Sequence, residues 1–294
     1  MKLLNRLLFT LILITTNASF SQNFDDVQIK AEPLTERIYM LTGAGGNIGV
    51  SIGEDGIFVI DDQFAPLTSK ILDVLKKMSD RPIQFLVNTH FHGDHTGGNE
   101  NMAEAGATIL AHENVRKRLS ETPNRQGELA PKAALPIITF NDKLNLHING
   151  EEAAIFHVSN AHTDGDAIIY FTESNVLHTG DTYFQGRYPY IDLKSGGSVD
   201  GYIKAAERSL LVIDDDTKII PGHGKVSNKQ EYKAFLDMMK DLKSTIEAEI
   251  AKGKSEEDVT SNVSLTKTYD DLGYSWRFIT SERIRKTFYN SLKK

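Results

Sequence analysis

His90-Phe91-His92-Gly93-Asp94-His95 packs four metal-ligand side chains into six residues, in the pattern H-x-H-x-D-H. An apolar run, Ile83 to Val87, leads into it, and Gly97-Gly98 follows. A short continuous apolar run reads as a buried strand, so the four side chains sit just past a strand end. Imidazoles and a carboxylate held this close suit a transition metal, zinc first.

Three further residues share that context. His162 lies in Ala161-His162-Thr163-Asp164-Gly165-Asp166, a turn between expected strands Ala153 to Val158 and Ala167 to Phe171. Asp181 closes His178-Thr179-Gly180-Asp181 after a strand Val176 to Thr179. His223 sits in Pro221-Gly222-His223-Gly224 after a strand Lys218 to Ile220. Each follows a strand and lies near glycine, which lets the chain turn sharply at a sheet edge.

Elsewhere, short strands are expected at Arg37 to Leu41, Ile48 to Ile52 and Ile57 to Ile60, with Gly43–Asn47 and Glu54-Asp55-Gly56 as turns. Leu67, Ile71, Val74, Leu75 and Met78 keep helical spacing behind Pro66. A short helix after Gly98, a strand Ala107 to Ala111 and a helix near Asn114 to Ser120 follow. Prolines 123, 131 and 136 make Thr122 to Pro136 a loop or broken helix. Strands near Ile137 to Phe140 and Leu144 to Ile148 come next. Ser198 or Asp200 caps a helix running to Leu211. Phe235, Met238, Met239, Leu242, Ile246 and Ile250 mark a long amphipathic helix closed by Gly253. A final helix is expected around Trp276 to Leu292. Hairpin clusters with helices at intervals fit two packed sheets with helices outside.

The order H-x-H-x-D-H, then His, Asp and His, resembles the metallo-β-lactamase superfamily. The Gly43–Asn47 turn and the Ile60-Asp61-Asp62 strand end share in the likeness, which covers essentially the whole mature chain. The resemblance implies an α/β fold: an αβ/βα four-layer sandwich of two mixed sheets, with helices on both outer faces. It assigns His90, His92 and His162 to one zinc ion and Asp94, His95 and His223 to a second, with Asp181 bridging. Mn2+ or Fe2+ are possible substitutes for the two Zn2+. It implies a hydrolase that uses a hydroxide held between the two ions. Asp94, inside the motif, is the residue expected to orient that nucleophile or relay its proton. Asp61 resembles an acid that orients a ligand from behind, with a simple turn residue as the alternative. Of the other histidines, His147 and His157 fall within strand-like runs. His112 and His178 are read as structural, with support of the site as the alternative.

Composition bounds the rest. Lys2 and Arg6 precede an apolar run, Leu7 to Ile14, and small residues end at Ser21. This pattern is read as a signal peptide over residues 1–21, cleaved near Ser21 or Gln22. It leaves a hydrolase domain over 22–294 in the periplasm or outside the cell, with no stable membrane anchor. The chain has no Cys, so neither a disulfide nor a thiolate ligand is available. Formal charge is −7, and losing Lys2 and Arg6 takes it to −9, which argues against a nucleic-acid partner.

The expected partner is a small-molecule substrate; the sequence does not set the oligomeric state. The substrate is read as a small carbonyl compound: a β-lactam, lactone or other ester or amide. The alternatives are a phosphodiester, a phosphotriester or a thioester, and last a metal-binding protein without catalysis. Tyr183-Phe184-Gln185-Gly186-Arg187-Tyr188-Pro189-Tyr190 holds four aromatics beside a metal ligand. Tyr183, Phe184 and Tyr188 are therefore expected to contact substrate, unless the loop packs its rings inward. Lys225 and the glycines of Lys194–Ser198 are candidate receivers of an anionic group.

Overall fold

The computed structural model describes residues 23–124 and 127–293. The signal-peptide reading lies outside the described residues. Among the described residues, thirteen strands form two sheets. The first takes β1 (Lys30–Pro33), β2 (Ile38–Thr42), β3 (Ile48–Gly53), β4 (Gly56–Ile60), β5 (Ile83–Asn88), β6 (Thr108–His112) and β7 (Ile138–Phe140), in sequence order. Strands β1 to β4 pair antiparallel and β4 to β7 parallel. The second runs from β8 (Lys143–Ile148) through β9 (Glu151–His157), β10 (Ala167–Phe171), β11 (Val176–His178) and β12 (Lys218–Ile220) to β13 (Ser227–Asn228). Only its β11–β12 pair is parallel.

Period-two alternation decides the layering. In β4, Phe58 and Ile60 face the second sheet, with Met40, Val87, Ile155 and Ile169 around them. Ile57 and Val59 face outward onto α1 (Thr68–Met78), through Ile71 and Leu75. In β10, Ala167, Ile169 and Phe171 enter the inter-sheet core, while Ile168 packs on the opposite side. Both faces of these strands are buried, which is why they read as unbroken apolar runs.

Helices α2 (Gly93–Thr96), α3 (Asn99–Glu104) and α4 (Glu113–Glu121) complete the first half. Outside the second sheet lie α5 (Val199–Val212), α6 (Lys229–Ala251) and α9 (Ser281–Leu292), joined through Tyr202, Phe235, Met239 and Phe288. Each such buried side chain contributes about 1.5–3 kcal/mol. This is the expected αβ/βα sandwich.

Differences from the sequence reading are local. β1 is wholly exposed and carries no alternation to reveal it. Ser198 rather than Asp200 caps α5, accepting from Gly201 N. The expected last helix begins later. Thr280 caps it, and residues 274–280 form an irregular segment ahead of it. Two short helices, α7 (Glu256–Ser261) and α8 (Lys267–Asp271), precede that segment; a Ser255–Asp258 capping box starts α7.

Candidate metal centre

The C-terminal ends of β4, β5, β9, β11 and β12 meet at one edge of the sandwich, and all seven expected ligands gather there. His90, His92, His162 and Asp181 offer ligand atoms within 4.8 Å of one another, as do Asp94, His95 and His223. Asp181 spans the groups. Its Oδ2 lies 3.8 Å from His90 Nε2 and 3.6 Å from His162 Nε2; its Oδ1 lies 3.1 Å from His95 Nε2 and 3.4 Å from His223 Nε2. Asp94 Oδ2 is 3.3 Å from His223 Nε2.

The donor set fits metal ions. His90 Nε2, His95 Nε2 and Asp181 Oδ1 are buried without a hydrogen-bond partner, although each is a strong polar atom. Such atoms are costly unless a ligand completes them. Three hydrogen bonds behind the rings also fix which nitrogen points inward. His95 Nδ1 meets Asp61 Oδ2 at 2.7 Å, His162 Nδ1 meets the Tyr190 carbonyl at 2.7 Å, and His92 Nε2 meets Asp192 Oδ2 at 3.1 Å. His92 therefore presents Nδ1, 2.9 Å from His162 Nε2, while the other rings present Nε2.

The backbone supports this from several elements. Asp61 also accepts from Thr89 N and Thr89 Oγ1, both at 2.7 Å, and sits at φ 64°, a left-handed conformation that a non-glycine residue rarely holds. Asp166 accepts from the backbone N–H groups of His162 and Thr163, and so shapes the His162 turn. Tyr202 OH donates to the Asp181 carbonyl. Asn47 donates to the carbonyls of Pro221 and Gly224, tying the first sheet to the His223 loop. A Cβ at Gly46 would run into the His95 ring, and one at Gly222 into Asp181 Oδ1. Both positions need glycine for close approach.

Electrostatics divides the ring. Burial pushes His162 down to about 4, helped by His92, and burial with neighbouring His95 and His162 holds His90 well below its usual value. Burial opposes the charged form of His223 and His95 too. There Asp181 outweighs it, joined by Asp94 and, for His95, Asp61, raising His223 to about 9 and His95 well above its usual value. Burial alone would raise Asp94, but His95 and His223 bring it to about 2.

Two of the aromatic expectations need correction. Tyr183 is buried, bonds Ser227 Oγ and packs on Tyr232 and Phe235. Tyr188 is buried and donates to Asp270. Neither faces the site, because turning inward completes the core around α6 and gives each phenol a partner. Phe184 is buried as well but lies flat against His223, ring centroids 5.0 Å apart. Lys225 is exposed on the His223 loop. The Lys194–Ser198 glycines do not offer an anion site, since Ser195 N and Gly197 N bond the Asp192 carbonyl and Ser198 caps α5.

Asp192 and Tyr190 are the residues that the sequence left unassigned. Tyr190 stacks on His92 at 5.7 Å and meets His162 edge-on. Its place in the aromatic octet was a signal; nothing in the sequence marked Asp192. His178 is buried and links Asn47 O to Gly180 N, while His112 caps α4 and stacks on His157.

Comparisons with known proteins agree with this geometry. Residues 42–223 match the family model of the metallo-beta-lactamase superfamily. The chain is 23% identical over 209 residues to the 2,4-dinitroanisole O-demethylase subunit alpha of Nocardioides sp., covering 70% of this chain and 61% of that one. It is 29% identical over 161 residues to the hydroxyacylglutathione hydrolase of Pelagibacter ubique, covering 53% and 58%. It thus spans about three fifths of the length of these relatives. Among solved structures, a metallo-beta-lactamase from Pontibacter korlensis superposes with a TM-score of 0.63 at 16% identity, covering 73% of this chain and all of that one. With the ligand ring and more than half the chain inside the match, the protein belongs to the metallo-β-lactamase superfamily.

Proposed function

We propose that this protein is an exported hydrolase holding two zinc ions and opening a small carbonyl substrate: a β-lactam, a lactone or another ester or amide. The observation that carries the proposal is Asp181, whose two carboxylate oxygens are divided between two sets of histidines, each with one buried nitrogen that lacks a hydrogen-bond partner, His90 Nε2 in one and His95 Nε2 in the other. His90, His92 and His162 would hold one ion and Asp94, His95 and His223 the other, with Asp181 between them. Bound there, the ions supply Lewis acidity, acidifying water and polarising the scissile carbonyl.

The protein's own groups do the rest. Asp61, Asp192 and the Tyr190 carbonyl lock the ring orientations. Asp94 is partly exposed; its Oδ2, turned to His223, would hold the second ion, and its other oxygen would accept a proton from the attacking water and return it to the leaving group. A carbonyl centre agrees with the hydroxyacylglutathione hydrolase relative, whose name denotes an acyl substrate.

Elemental analysis of the purified mature protein together with a hydrolysis panel tests this. About two zinc ions per chain, and turnover of a lactone, ester or β-lactam that chelation abolishes and zinc restores, are expected. One ion or fewer with all seven ligands intact overturns the dinuclear reading. Turnover confined to phosphoesters overturns the substrate class. N-terminal sequencing of the periplasmic fraction, expected to begin at or beside Gln22, tests export.

A further inference from the structure

An arc of aromatic rings joins the two halves of the ligand ring on its open side. It starts at His92, against which Tyr190 stacks. Phe278 meets Tyr190 edge-on at 5.2 Å, Trp276 lies 5.7 Å from Phe278, and Phe184 lies 6.0 Å from Trp276. The arc ends where Phe184 covers His223. Tyr190 and Trp276 are partly exposed, and Phe278 is 43% exposed, unusual for a large apolar side chain.

Two guanidiniums lie on this arc. Arg283 is 4.3 Å from the Phe278 centroid and 5.2 Å from that of Tyr190; Arg187 is 5.4 Å from that of Trp276. Neither forms an ion pair with a carboxylate among the described residues, whereas nearby Arg118 is held by both oxygens of Asp164. Arg283 gives one N–H at Nη1 to the Phe278 carbonyl, and a guanidinium resting on a ring face keeps its remaining N–H donors for a planar anion. Trp276, Phe278 and Arg283 lie beyond the stretch matched by the superfamily.

We infer that this arc binds the non-reacting part of the substrate, and that this part carries an apolar or aromatic group with a carboxylate attached. The rings take the flat apolar portion, and Arg187 and Arg283 take the carboxylate at the rim. The acidic chain otherwise repels such an anion, so two guanidiniums without a carboxylate partner confer selectivity rather than general attraction. The inference deepens the hydrolase reading by naming its substrate class.

Trp276 is the chain's single tryptophan, so its fluorescence reports on the arc without any turnover. The metal-loaded protein is titrated with 4-phenylbutyrate and with 4-phenylbutyramide, the same molecule without the charge. Phenylbutyrate is expected to give a saturable change, with the amide at least about tenfold weaker. Arg187→Ala with Arg283→Ala should bring phenylbutyrate down to the amide's affinity while metal content stays at two. If the double variant does not fold, Arg187→Gln alone, on an exposed side chain, should show a smaller loss of the same sign. Equal affinity for acid and amide, no fluorescence response, or phenylbutyrate binding unaffected by the arginine variants overturns the inference; the last outcome places the carboxylate on the metals. A second arm compares kcat/KM for an aryl ester with and without a distal carboxylate, where the preference should vanish in the variants. If no substrate is hydrolysed but the fluorescence discrimination holds, the hydrolase reading fails and the binding inference stands.

Discussion

His90, His92 and His162 meet ring against ring, with centroids 4.6–4.9 Å apart, whereas His95 and His223 stand among the carboxylates of Asp94, Asp181 and Asp61. In the first set burial holds His90 and His162 below the usual imidazole value, so neither needs deprotonation to bind a cation. The second is protonated at neutral pH, and a metal must displace those protons. Metal and proton are thus alternative partners for the carboxylates in one half and not in the other. The same residue type gives opposite behaviour because its neighbours differ.

Asp181 is where the two halves join, so its replacement should have the largest effect. Asp181→Ala is expected to cut turnover by roughly three orders of magnitude and to empty the His95–His223 half first. The first half keeps three histidines. Asp181→Asn keeps the shape without the charge and should fall between alanine and wild type. Wild-type rate and full metal content in Asp181→Asn would reduce Asp181 to a turn residue and remove the link between the halves.

The contrast between legible and hidden parts of the site follows the same physics. The seven candidate ligands are legible because metal binding demands particular side chains, and because they follow short apolar strands such as Ile83–Asn88. Asp61 was suspected from its strand end. Asp192 was not, since an acid that orients His92 from 100 residues away leaves no local pattern. Tyr183 and Tyr188 misled for a related reason. An aromatic beside a ligand reads the same whether it points to the site or to the core, and here α6 and α8 decide. The segment carrying Trp276 and Phe278 reads as helix in the sequence, because only the Thr280 cap shows where α9 starts.

The second expected effect is on pH. Stability of the metal-free protein should respond with opposite signs from the two halves. His223 is raised from 6.5 to about 9 in the folded state. Its contribution is complete below pH 6.5 and disappears as pH rises through about 9. His162 is lowered from 6.5 to about 4, so the unfolded chain binds its proton more readily. Stability is then lost as pH falls from 6.5 towards 4. Chemical denaturation of chelator-treated protein across pH 4–10 should therefore give a maximum near pH 6.5. In metal titrations, lowering pH from 8 to 6 should weaken the second ion and hardly affect the first. Equal pH dependence for both ions would erase the distinction.

The smallest expected effects come from the acids behind the rings, and they rank by burial. Asp61 is fully buried with three donors, Thr89 N, Thr89 Oγ1 and His95 Nδ1. Asp61→Asn leaves that cluster short of an acceptor and should cost about 2–4 kcal/mol in stability, besides a 10–100-fold loss at the second ion. Asp192 is partly exposed and serves His92 and the Ser195 backbone. Water can replace part of its role, so Asp192→Asn should weaken the first ion by about tenfold or less, with little change in melting. The carboxamide oxygen can still accept from His92 Nε2, so the tautomer that presents Nδ1 survives. Asp192→Leu removes the acceptor altogether and should weaken the first ion further, leaving the second nearly untouched. If Asp192→Leu instead loosened both ions alike, His92 would not belong to one half, and the division of the ring drawn from Asp181 would fail.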